Sequence, residues 1–149
     1  MWNKLRRLAA LPQGRKGLLA EALLALAAAR LVMLLVPFRY VAAWLGTAGA
    51  ETPATATANE IRMAQEVGWA VGVWARRVPW DSRCLAQALA ATSMLRRRGL
   101  EGTVSFGSGR VDGGGFSAHA WLRLGPHMVT GGPGHDRFKV LTTFARRRA

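Results

Sequence analysis

Residues 81–99 read DSRCLAQALAATSMLRRRG, and residues 116–124 read FSAHAWLRL. The two stretches repeat with different periods. In the first, Leu85, Ala88, Leu89, Thr92 and Leu95 recur every three or four positions, which is one face of a helix. Asp81 or Ser82 supplies the N-cap, making Cys84 the third or second helical residue. Arg96, Arg97 and Arg98 fill the last turn, where the helix dipole favours cations, and Gly99 follows the cap. The triplet therefore reads as a solvated, dipole-matched end. In the second stretch, Phe116, Ala118, Ala120, Leu122 and Leu124 alternate with Ser117, His119, Trp121 and Arg123, the pattern of a half-buried strand.

Working outward, Thr103 to Phe106 reads as a strand and Gly107 to Gly115 as a flexible glycine-rich loop. Gly125-Pro126 turns the chain, Met128 to Thr130 pairs back, Gly131 to Gly134 breaks it, and Phe138 to Leu141 is a last strand. Upstream, residues 17–36 form a helix ended by Pro37, and Arg39 to Leu45 a short one closed by Gly46. Residues 46–58, GTAGAETPATATA, read as a linker or surface loop. A helix over 59–77 carries Ile61, Ala64, Val67, Val71 and Trp74 on one stripe and stops before Pro79. Helices followed by an antiparallel sheet make the class α+β. The expected division is a helical extension and linker over 1–58 and a core over 59–149.

A chain of 149 residues can bury a core without staples. Half the residues are hydrophobic and 19% are charged, which excludes a disordered protein. One cysteine excludes a disulfide framework and a Cys-only zinc site, so no metal is expected. Lys and Arg number 21 against 8 acids, a net +13 that favours anionic partners. The chain lacks the interleaved basic and aromatic residues of a nucleic-acid surface, and no nucleic acid is expected. Leu18 to Val36 is strongly apolar, but Glu21 and Arg30 fall on opposite helix faces, which is costly in lipid. A buried helical hairpin and a cytoplasmic location are preferred, with membrane association the less favoured reading.

Cys84 lies in the first turn of its helix, where free N–H groups and the dipole stabilise a thiolate and can hold an oxyanion. A buried structural cysteine is the other reading. His119 lies mid-strand, pointing away from the apolar face beside Trp121, and is the type of base such a thiol requires. A histidine merely packed on Trp121 is its alternative. Trp80, four residues before Cys84, lines either a cleft or the core.

The segments Val78-Pro79-Trp80, Arg83-Cys84-Leu85, Met94-Leu95-Arg96-Arg97-Arg98-Gly99 and Ala118-His119-Ala120-Trp121 together resemble the leader peptidases of lasso-peptide biosynthesis. Those B-type proteins are similar to microcin-processing, transglutaminase-like cysteine proteases. Ala29-Arg30-Leu31, Pro37-Phe38-Arg39 and Phe138-Lys139-Val140-Leu141 extend the resemblance over nearly the whole chain. It implies a papain-like or transglutaminase-like core with a Cys-bearing helix on a small antiparallel sheet. It also implies Cys84 as nucleophile and His119 as base; Trp80 and Trp121 are expected near substrate, and no cofactor is expected. The implied partners are a precursor peptide, a leader-binding protein and an ATP-dependent lasso cyclase. The family's third residue is an aspartate on the following strand. Here the hairpin sets Thr130, Gly131 and Gly132 opposite His119, and none is acidic. Asp136, Asp112, the Thr130 hydroxyl or a carbonyl remain to orient the imidazole, and an inactive scaffold is a further alternative.

Overall fold

The helix opened by Cys84 is buried almost all round. In the computed structural model, which describes residues 3, 6–7, 12–79, 83–110 and 113–146, this helix is α4 (Cys84–Arg97). Ahead of it run α1 (Gln13–Leu35), α2 (Phe38–Leu45), β1 (Thr47–Ala48) and α3 (Ala58–Ala75). After it come β2 (Thr103–Arg110), β3 (Phe116–Leu124), β4 (His127–Thr130), a 3-10 turn (His135–Arg137) and β5 (Lys139–Ala145). All strand pairs are antiparallel, in the order β1-β5-β2-β3-β4. The class is α+β, as the order of periodicities requires.

Small side chains explain the central position of α4. Ala86, Ala88, Ala90 and Ala91 are buried along with Leu89, Thr92, Met94 and Leu95. They let α1 and α3 approach one side while β3 and β4 pack on the other. The Thr92 hydroxyl donates to the Ala88 carbonyl at 2.7 Å, which removes the cost of burying it. Leu18, Leu19, Ala22, Leu26 and Ala29 of α1 join the same core as Val67 and Val71 of α3 and Val104 and Leu122 of the sheet. α3 begins with a capping box, in which the Thr57 hydroxyl accepts from the Glu60 amide and Glu60 accepts from the Thr57 amide.

Several local readings change. The N-cap of α4 is Arg83, with no side-chain cap bond, and Cys84 is the first helical residue. Asp81 and Ser82 lie outside the described residues. β2 continues through Gly107 and Gly109 to Arg110 instead of dissolving into a loop. A Cβ at Gly107 would sit 2.9 Å from the Trp121 indole, and one at Gly109 would sit 2.6 Å from the Arg137 carbonyl. Glycine serves close approach at these positions. The linker contributes β1, which pairs with β5 at the sheet edge, and Thr52 bonds the buried Thr103 hydroxyl.

The arginine triplet is also different from a solvated end. Gly99 at φ +73 closes α4, with the Leu100 amide reaching back to the Leu95 carbonyl. Arg96 is largely buried and donates to the Trp44 and Leu45 carbonyls at 2.7 Å each and to Glu101 at 3.1 Å. It thereby satisfies the free carbonyls at the end of α2. Arg98 forms a two-pronged pair with Glu21 of α1 at 2.9 and 2.7 Å. Arg97 alone is largely exposed, 3.5 Å from the same carboxylate.

The Arg98 hydrogen bond and charge hold the Glu21 carboxyl below its usual range, against the opposing effect of burial. The folded-state pKa thus lies below the unfolded one. The pair's contribution is complete above the ordinary glutamate value of about 4.3 and is lost as pH falls through the depressed value. Glu21→Gln is expected to cost about 1–2 kcal/mol at pH 7. In denaturant titrations the gap from wild type should narrow as the medium is acidified.

Candidate active site

Cys84 opens α4 and is half-buried. Arg83 places no side-chain oxygen on the helix start, and the first turn contains no acid. No carboxylate of that turn offsets the positive end of the dipole beside the thiol.

His119 sits on β3 opposite Gly107 of β2. Strand alternation puts it, with Trp121, on the face away from Ala120 and Leu122. Its Nε2 lies 2.8 Å from the Gly131 carbonyl. A carbonyl can only accept, so Nε2 carries the proton, and in the neutral ring the lone pair is on Nδ1. The ring is held between Trp121, at 5.7 Å and 27°, and Phe138, at 4.8 Å and 31°. Trp121 is only 4% exposed. Its indole covers Gly107 and meets His135 at 5.8 Å. It therefore braces the imidazole and presents little surface to a ligand.

The segment Gly131–Phe138 crosses this face from β4 to β5. His135 Nδ1 lies 2.7 Å from the Gly132 carbonyl and its ring meets Trp121, so this imidazole is part of the cover. Gly131 has φ +69, and a Cβ there would lie 2.6 Å from the Ala120 carbonyl. Only glycine lets the chain turn this tightly against β3. The Thr130 hydroxyl is buried and without a hydrogen-bond partner among the described residues.

The fold thus brings His119, Trp121, His135, Phe138 and Gly131 together. Among the described residues, no hydrogen bond joins the Cys84 thiol to the His119 ring. Asp136 is exposed in the 3-10 turn and makes no hydrogen bond or ion pair with His119, whose Nε2 is taken by the Gly131 carbonyl. Trp80 and Asp112 fall outside the described residues. Sequence reasoning set Gly131 opposite His119 and kept a carbonyl among the orienting groups without naming which, and it read Phe138 only as the start of the last strand. The available signal was the Gly131-Gly132-Pro133-Gly134 run, which marks a tight crossing as well as a break.

A buried helix that begins with a cysteine, followed by an antiparallel sheet bearing a histidine, has the layout of thiol-dependent acyl-transfer proteins. The chain belongs to the transglutaminase-like superfamily, whose profile matches residues 32–143. This superfamily includes cysteine peptidases. The match starts inside α1 and ends in β5, so it crosses the boundary expected at residue 58. No curated protein and no solved structure shows significant similarity to the chain.

Gly131→Ala is expected to cost about 1–3 kcal/mol, because it adds a strained φ and a clash with Ala120. Nitrogen NMR of the His119 ring should then show loss of the single Nε2–H tautomer. A wild-type ring that shows no single Nε2–H tautomer would remove the Gly131 carbonyl from its role.

Proposed function

We propose that the protein is a cysteine peptidase that removes the leader from a ribosomally made lasso-peptide precursor. The observation that carries this reading is the fixed His119 ring. Its Nε2–H is committed to a carbonyl, leaving Nδ1 as the basic atom. The chain's one cysteine opens the preceding helix, as the superfamily's thiol chemistry requires.

Dimensions support a Cys84–His119 pairing. α4 has 14 residues and extends about 21 Å. Just beyond its C-terminal end, Leu100 lines a surface cavity with Leu124 of β3. His119 lies about 17 Å along β3 from Leu124. A helix lying along that strand carries Cys84 toward the His119 end of the sheet. β4 pairs with β3 only at Leu122–Leu124, so the β3 edge at His119 has no strand partner. On this reading the thiol reaches the imidazole around that edge.

The Cys84 thiolate attacks the carbonyl at the leader–core junction. A C–S bond forms, the peptide C–N bond breaks, and the His119 imidazolium protonates the departing core amine. Water, deprotonated by His119, then hydrolyses the thioester. First-turn N–H groups of α4 face the oxyanion. The Gly131 carbonyl takes the orienting role that a carboxylate such as Asp136 would fill. Trp80 lies beside the nucleophile in sequence as a substrate contact. A leader-binding protein delivers the precursor in the cytoplasm, and an ATP-dependent cyclase consumes the freed amine. The second reading is an inactive scaffold. It is favoured by the carbonyl in place of a carboxylate and by the missing thiol–imidazole hydrogen bond.

Core-peptide release from a lasso-type precursor, with its leader-binding partner present, should fall about a thousandfold or more in Cys84→Ala and in His119→Ala. Asp136→Asn should cost far less than either. Equal release by wild type and Cys84→Ala would sink the thiol mechanism. A folded wild-type protein that neither cleaves nor reacts with iodoacetamide at Cys84 would establish the scaffold.

A further inference from the structure

The far end of α1 and the start of α2 carry an apolar surface that the peptidase reading does not use. Leu24, Leu31, Leu34, Leu35, Phe38 and Tyr40 are 50–77% exposed. Leu24, Leu31 and Leu35 are spaced by seven and four residues, which aligns them on one helix face. Beside them, a cleft of about 390 Å³ opens between α1, α2 and α4, lined by Val32, Val36, Tyr40 and Trp44 among others. α1 is also long and apolar enough to cross a membrane, yet little of its apolar stretch is buried.

Charge indicates the occupant. Residues 1–50 contain seven Lys and Arg and one acid, Glu21. That acid is paired with Arg98 and Arg97. No acid occurs from Ala22 to Ala50. Arg39 is exposed at the apolar corner and lies over the Tyr40 ring at 4.8 Å. At the other end of α1, Arg15 and Lys16 are exposed. Lys16 and Leu34 are separated by five helical turns of about 3.6 residues and so lie on one line. Leucines, aromatic rings and flanking cations, with no unpaired acid, are the features of a helix lying flat in an anionic lipid interface.

We infer that this face docks the protein peripherally on an anionic bilayer surface, with α1 parallel to the membrane and Leu31–Tyr40 in the headgroup region. Glu21 and Arg98 remain locked in the fold, so α1 lies on the bilayer and does not cross it.

The test is flotation of the full chain with vesicles of phosphatidylglycerol and phosphatidylcholine, against phosphatidylcholine alone. Binding is expected on the anionic vesicles only and should weaken as salt rises. The triple variant Leu31→Ser, Leu34→Ser, Leu35→Ser changes side chains that are more than half exposed and should lose at least tenfold in affinity with a nearly unchanged circular dichroism melt. Arg39→Gln should lose about fivefold. No flotation of wild type, or equal flotation of the folded triple variant, overturns the inference. So does a wild-type dimer that the triple variant returns to monomer, since a second copy would then cover the face. None of these outcomes depends on peptidase activity.

Discussion

Enclosure of α4 is the constraint on which the rest of the structure depends. A helix packed by α1 and α3 on one side and by the sheet on the other can expose only its ends. Alanines at 86, 88, 90 and 91 make the close approach feasible, since larger side chains would push the layers apart. The enclosed helix leaves Cys84 at its open start and its free carbonyls at the other end. Arg96 and Arg98 occupy that second end and reach the α2 carbonyls and Glu21 of α1. The same helix thus presents the chain's only thiol and ties the N-terminal hairpin to the core.

Both ends of β3 were legible in the sequence because alternation over Phe116–Leu124 is strict and glycine flanks it. α1 and α2 were legible from Pro37 and Gly46, which interrupt them by known sterics. β2 was read short because glycine ordinarily marks a loop. At Gly107 and Gly109 it instead leaves room for the Trp121 ring and the Arg137 carbonyl, contacts between segments distant in sequence. The arginine triplet was misread for the same kind of reason. A basic last turn satisfies the helix dipole by itself, and nothing local shows that Glu21, 77 positions away from Arg98, claims the third guanidinium.

Two residues of the candidate site can be picked out of the sequence, and its support only as an unassigned carbonyl among other candidates. Cys84 and His119 stand out by chemical type and by position on their elements. The group that orients His119 is a main-chain carbonyl, and a carbonyl is present at every residue. Composition therefore cannot reveal it. A search for an acid leads naturally to Asp136, which the chain carries to the solvent side of the 3-10 turn.

The Gly131 carbonyl has an evolutionary consequence as well. A carboxylate partner is erased by one codon change that leaves the backbone untouched. A peptide oxygen is preserved through any side-chain replacement that keeps the turn, and at position 131 the left-handed geometry resists such replacement in the first place. Drift in the side chains of the crossing segment can alter how firmly the imidazole is held, but it cannot remove the acceptor.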